Sequence, residues 1–191
     1  MIKYKNIYGS IFKRLEDNLD ENLKYHNLEH THLVLGRARE IAEIEGVSER
    51  EFILIEIAAV YHDSGFLVSR QEHEKRGCEL ARVELIDEDF TQDEIESICR
   101  MIMATRIPQT PTNQLERVLV DAVLYYLCTE DYDKYSNFLY AELKFFNHAL
   151  SDEDWKQIQI KFLETHQYTT DFAKDHLEPA KKLHLERIKK S

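Results

Sequence analysis

The segment EFILIEIAAVYH, residues 51–62, constrains the fold more than any other part of the chain. Its apolar side chains cover nearly the whole circumference of a helix instead of one stripe. A helix of that kind has to be enclosed by other elements. Ser48-Glu49-Arg50-Glu51 forms a capping box that opens it. It closes on His62-Asp63, and ionisable groups at the end of an enclosed helix are costly unless paired or metal-bound. These two adjacent residues are therefore the first candidates for a functional centre.

The other long segments also show helical spacing, and only 5 Gly and 3 Pro interrupt 191 residues, so the expected class is all-α. Helices are predicted over about 6–18, 21–45 (stopping at Gly46), 49–62, 72–85, 91–104, 114–127, 132–149, 151–164 and 170–188. Thr91-Gln92-Asp93-Glu94 is a second capping box, and Pro108 and Pro111 mark a loop. No repeat, low-complexity stretch or linker divides the chain, which reads as a single domain over 1–191. The final basic helix, AKKLHLERIKK, is expected to pack by one face with its lysines in solvent.

The net charge of −11 argues against nonspecific nucleic-acid binding, although a bound cation could still draw in a small anion. Cys78, Cys99 and Cys128 are odd in number and widely spaced, which suits small buried apolar residues better than disulfides or a zinc ribbon. No apolar run of about 18 residues and no signal-peptide core occurs, so no membrane association and a cytoplasmic location are expected.

Of the 9 histidines, His148, His166, His176 and His184 read as surface or helix-end residues. His26 and His30 lie four apart in YHNLEH and are expected on one face of a helix, with His32 pointing elsewhere. His30, His62 and Asp63 together offer three nitrogen and oxygen donors from two helices, as a divalent metal requires. A fourth acidic ligand should come from later in the chain. Asp121, inside the apolar ERVLVDAVLYYL, is the natural candidate, with a hydrogen-bonded core Asp as the alternative.

The segments YHNLEHT, AAVYHDSGF, HEKRGCELA, MIMATR and LERVLVDAVLYYL, in that order, resemble the HD superfamily of metal-dependent phosphohydrolases. That signature is a His, a His-Asp doublet and a distant Asp on the helices of a compact α bundle. The motif-bearing core would span about 20–130, with helices of 131–191 packed on it. The resemblance implies one divalent ion (Mn, Mg, Fe, Co or Zn) held by His30, His62, Asp63 and Asp121. It implies that Asp63 orients the attacking water and that His26 protonates the leaving oxygen. His73 matches the histidine of a His-x-x-x-Gly-Ala-Glu helix that binds a second metal in dinuclear members. The following helix ends in Ala104-Thr105-Arg106, with no further His, so His73, Thr105 and Arg106 are expected to meet substrate phosphate instead.

The substrate implied is a nucleotide or other small phosphoester. One departure stands out: relatives often carry Asp-Ala-Asp where this chain has Asp121-Ala122-Val123. In several branches the second Asp is the ligand. Residues two apart on a helix differ by about 200° in direction, so Asp121 and Val123 cannot face one centre. If position 123 is the ligand position, the alternative reading is a degenerate HD module that binds a ligand without hydrolysing it.

Overall fold

The computed structural model describes residues 4–190, and among them there is no strand. Ten α-helices follow in order: α1 Lys5–Asn18, α2 Leu28–Ile44, α3 Glu49–Tyr61, α4 His73–Leu85, α5 Gln92–Ala104, α6 Gln114–Val123, α7 Tyr132–Phe146, α8 Asp152–Thr165, α9 Asp171–His176 and α10 Glu178–Lys190. Single 3-10 turns occupy Ser64–Leu67 and Tyr125–Cys128. None of these helices is long and apolar enough to cross a membrane.

Helix α3 is the enclosed element its composition requires. Every residue from Leu54 to Tyr61 is buried, against α1, α2, α4, α5 and α6. At about 1.5–3 kcal/mol per large apolar side chain, this burial is the main local stabilisation. The one acid on the buried stretch, Glu56, accepts hydrogen bonds from Tyr8 Oη at 3.0 Å and from Arg39 Nε. The capping boxes at Ser48 and Thr91 both form, and Gly46 ends the α2 region with φ +67°.

After α3 the chain turns sharply. A Cβ on Gly65 would lie 1.8 Å from the His73 carbonyl oxygen and 2.7 Å from the Gly77 nitrogen, so only glycine lets this turn lie against the start of α4. Glu72, at φ 53°, completes the reversal into α4. The loop–helix contact sets His73 beside the end of α3.

Several helix boundaries differ from the sequence reading, α7 ending at Phe146 and not near 149 among them. α2 starts at Leu28 and not near 21, because the Asn27 side chain accepts from His30 N and caps it there. α6 stops at Val123 and passes into the 3-10 turn, with the Leu124 carbonyl taken by Tyr168 Oη at 3.0 Å. The expected helix over 170–188 is two helices, α9 and α10. Pro179 fits the first turn of a new helix but would break a continuous one. The lysines of α10 are not all solvated either. Lys181 is buried, donates to the His166 carbonyl and pairs with Glu178 at 2.9 Å.

Helices α1–α6 enclose the larger core, while Leu124, Leu127, Tyr132, Leu163 and Ile188 form a smaller one under α7, α8 and α10. Val123 packs against both. Cys78 and Cys99 are buried as expected; Cys128 is half-buried.

Gly65→Ala is expected to lower stability by roughly 3 kcal/mol in urea unfolding, since neither neighbouring backbone can yield cheaply. Gly9→Ala, in α1 with nothing within 4 Å of the added methyl, is expected to leave stability equal or higher.

Candidate metal centre and its cavity

His30 stands in the first turn of α2, and His62-Asp63 directly follows α3. The packing of α2 on α3 brings the three together. His62 Nε2 is 3.4 Å from His30 Nε2 and 3.1 Å from Asp63 Oδ2, and His30 Nε2 is 3.5 Å from the same oxygen. All three residues are buried. Donors about 2.1 Å from one ion, at the angles of tetrahedral or octahedral ligation, stand about 3.0–3.4 Å apart. The observed triangle, with edges of 3.1, 3.4 and 3.5 Å, is close to that size.

Protonation supports the same reading. His62 Nδ1 lies 2.7 Å from the Ala59 carbonyl oxygen, which can only accept, so Nδ1 is the donor of that bond and Nε2 is the nitrogen turned to the cluster. Burial pushes His30 down to about 3, which keeps it neutral at physiological pH. Burial raises the Asp63 carboxyl, but the imidazoles of His62, His26 and His30 outweigh this and hold it well below its usual value. Asp63 Oδ2 is buried without a hydrogen-bond donor among the described residues. A buried carboxylate oxygen with two imidazole nitrogens at 3.1 and 3.5 Å and no hydrogen bond that satisfies it becomes favourable around a cation. The residues therefore fit a divalent metal.

His26 lies outside α2, just before its Asn27 cap, so the expected shared helix face does not exist. Its ring nevertheless sits 6.0 Å from that of His30. Glu142 of α7 places it there: its buried carboxylate accepts from Tyr25 N at 2.9 Å and His26 N at 3.0 Å, and bonds His26 Nδ1 at 2.6 Å. Burial lowers the His26 pKa, but the Glu142 hydrogen bond together with the negative charges of Asp63, Glu142 and Glu74 outweighs it, and the net shift is upward. Phe66 is stacked between His26, at 4.6 Å, and His73, at 4.1 Å. His73 Nε2 reaches to 3.6 Å from Asp63 Oδ1, the carboxylate oxygen opposite the cluster.

These groups open into a cavity of about 510 Å³. Thr105 and Arg106 also line it, with Thr105 Oγ1 bonded back to the Ile102 carbonyl at 2.7 Å and Arg106 exposed. Tyr126 lines the cavity, whereas Tyr125 turns away to bond Glu40 at 3.1 Å. His32 and the distant His148 and His176 are exposed, as expected. His166 and His184 are partly buried and bonded to Lys181 and the Thr129 carbonyl.

The model of the HD domain family matches residues 27–130, more than half of the chain and including every residue of the His30, His62 and Asp63 cluster. The chain belongs to the HD domain family. The structure is similar, with a TM-score of 0.62, to the crystal structure of a predicted HD superfamily hydrolase from an uncultured Thermotogales bacterium. That likeness covers 98% of this chain and 90% of the other at 20% identity, and shows a shared fold. No curated protein matches the sequence.

Within this HD domain, Asp121 is not part of the cluster, which corrects its expected place among the ligands. It is fully buried, and its carboxylate accepts from Thr169 N (3.0 Å), Thr169 Oγ1 (3.0 Å), Thr170 N (2.7 Å) and Thr170 Oγ1 (2.8 Å). It ties the α8–α9 connection to α6. Val123, about 200° round the helix, lines the cavity together with His30, His62 and Asp63.

Sequence reading missed Glu142 and Phe66. Glu142 did leave a signal: in YSNFLYAELKFF, apolar residues stand three and four places away on both sides, which marks a buried acid. Its raised partner pKa gives a signed expectation. A His26 pKa above its unfolded value contributes stability that is complete below about pH 6.5 and is lost as pH rises through the folded value. Glu142→Gln should lower the His26 pKa in an NMR titration of metal-free protein. It should also remove that pH dependence of stability and cost about 1–3 kcal/mol at pH 6.

Proposed function

We propose that this HD domain is a divalent-metal-dependent phosphohydrolase of a small phosphorylated substrate. The observation that carries the reading is the unsatisfied Asp63 Oδ2 facing two imidazole nitrogens at the floor of an open cavity. His30, His62 and Asp63 would hold the ion. Such an ion supplies polarisation of a phosphoryl oxygen and a more acidic water.

The chain's own groups supply the rest. Asp63 has its second oxygen, Oδ1, on the side of His73, where it can accept a proton from an incoming water. His26 has Nδ1 committed to Glu142, so the proton it can deliver to a leaving oxygen is on Nε2. The carboxylate holds both the ring orientation and the protonated form, the arrangement that a general acid near neutral pH needs. His73, Thr105 and Arg106 line the same space and are assigned to the phosphate.

Purified protein supplied with Mn²⁺, Mg²⁺, Co²⁺, Fe²⁺ or Zn²⁺ should release phosphate from a phosphoester panel. His62→Ala and Asp63→Ala should each reduce that release at least about 100-fold and abolish stoichiometric metal in elemental analysis. Retained turnover in both variants would overturn the assignment.

Val123 favours a second reading, a module that binds a phosphorylated ligand without turnover, because an apolar side chain occupies the cavity wall where a fourth donor would complete the set. Val123→Asp should then raise metal affinity about tenfold or more in calorimetry. Unchanged affinity would mean that this position never faced the ion.

A further inference from the structure

The cavity has two chemically different ends. One is the cluster of His26, His30, His62 and Asp63 with His73 beside it. The other is an apolar chamber walled by Leu127, Leu139, Leu143, Trp155, Ile158 and Leu163. These residues belong to the second 3-10 turn, α7 and α8, and all but Leu127 lie beyond residue 130, where the HD match ends. The family core thus supplies the reacting end, and the C-terminal helices supply what surrounds the rest of a bound molecule.

The hydroxyls of the far end are already engaged with the Gln159 oxygen, which leaves the Gln159 amide N–H groups and the Trp155 indole N–H as its side-chain donors. Tyr132 Oη and Ser136 Oγ both donate to Gln159 Oε1, at 2.9 and 2.6 Å. Trp155 is stacked on Tyr140 at 5.6 Å, and Tyr132 on His184 at 4.7 Å and on Tyr126 at 6.2 Å. Among the described residues Arg106 is the only Lys or Arg that lines the cavity, and it follows α5 of the HD core and does not belong to α7 or α8. A ribose, a nucleobase or a second phosphate would need several donors and acceptors there, and leaving its polar groups unpaired in an apolar chamber costs more than it gains. An apolar group loses nothing on entry and gains with each carbon buried.

We infer that the substrate is a phosphoester whose organic part is apolar, an alkyl or aryl group seated in the α7–α8 chamber with its phosphate against the histidine cluster. This rests on the phosphohydrolase reading for the chemistry at the phosphate, but the choice of organic group comes from the chamber alone. Leu143 and Leu139 are half-buried and Ile158 is exposed, so the wall can be altered without opening either core.

The test uses non-hydrolysable probes. Methyl-, butyl-, hexyl-, octyl- and phenylphosphonate, with adenosine monophosphate as the polar comparison, are titrated calorimetrically into the full chain with and without Mn²⁺. Affinity should rise about two- to fourfold per methylene until the chamber is filled, and phenylphosphonate should bind more tightly than methylphosphonate. Leu143→Gln and Ile158→Glu, checked for folding by circular dichroism, should flatten that dependence while leaving methylphosphonate binding unchanged. Absence of chain-length dependence, the same slope in both folded variants, no phosphonate binding, or tighter binding of the nucleotide than of octylphosphonate overturns the inference. The two readings fail separately. A chain-length dependence in a protein that hydrolyses no ester removes the enzyme and keeps the apolar ligand. Turnover that favours nucleotides does the reverse.

Discussion

The enclosure of α3 is the constraint on which the rest depends. Because this helix is apolar on every side, the chain surrounds it with five others, and its C-terminal end becomes an interior location. His62 and Asp63 are carried there by continuity of the backbone. Once buried, the Asp63 carboxylate needs compensation, and its Oδ2 has no hydrogen-bond partner among the described residues. The interior position that makes these residues expensive is also what would make a cation bind tightly, since the same low dielectric strengthens both terms.

A second dependence runs between the halves of the chain. Glu142 of α7 captures two backbone N–H groups and one ring nitrogen of the segment leading into α2. It fixes His26 beside the cluster and docks α7 across the cavity. Asp121 does the corresponding work on the other side, holding the α8–α9 connection to α6 through Thr169 and Thr170. Two buried acids thus tie the C-terminal helices to the HD core without either being a ligand of the cluster.

Much of this was readable in order of locality. Capping boxes at Ser48 and Thr91 are signals within four residues and formed as expected. The pairing of His30 with His62-Asp63 was accessible through donor chemistry and the family resemblance. The position of His26 was not, because YHN reads equally well as helix or as the approach to an Asn cap, and the choice was made by Glu142 from 116 residues away. Asp121 was misplaced for a related reason: its burial was evident from ERVLVDAV, but an acid in a core can face a metal or a pair of threonines, and only the neighbours decide.

By itself the sequence determined the helical class, the central place of residues 51–62 and the chemical identity of the donors, since periodicity and side-chain chemistry are properties of short stretches. Tertiary structure decided which donors converge, that Val123 and not Asp121 faces the cavity, and that the cavity continues into an apolar chamber. Those outcomes depend on the rotation of each helix about its own axis and on contacts between residues tens of positions apart. No local pattern encodes them.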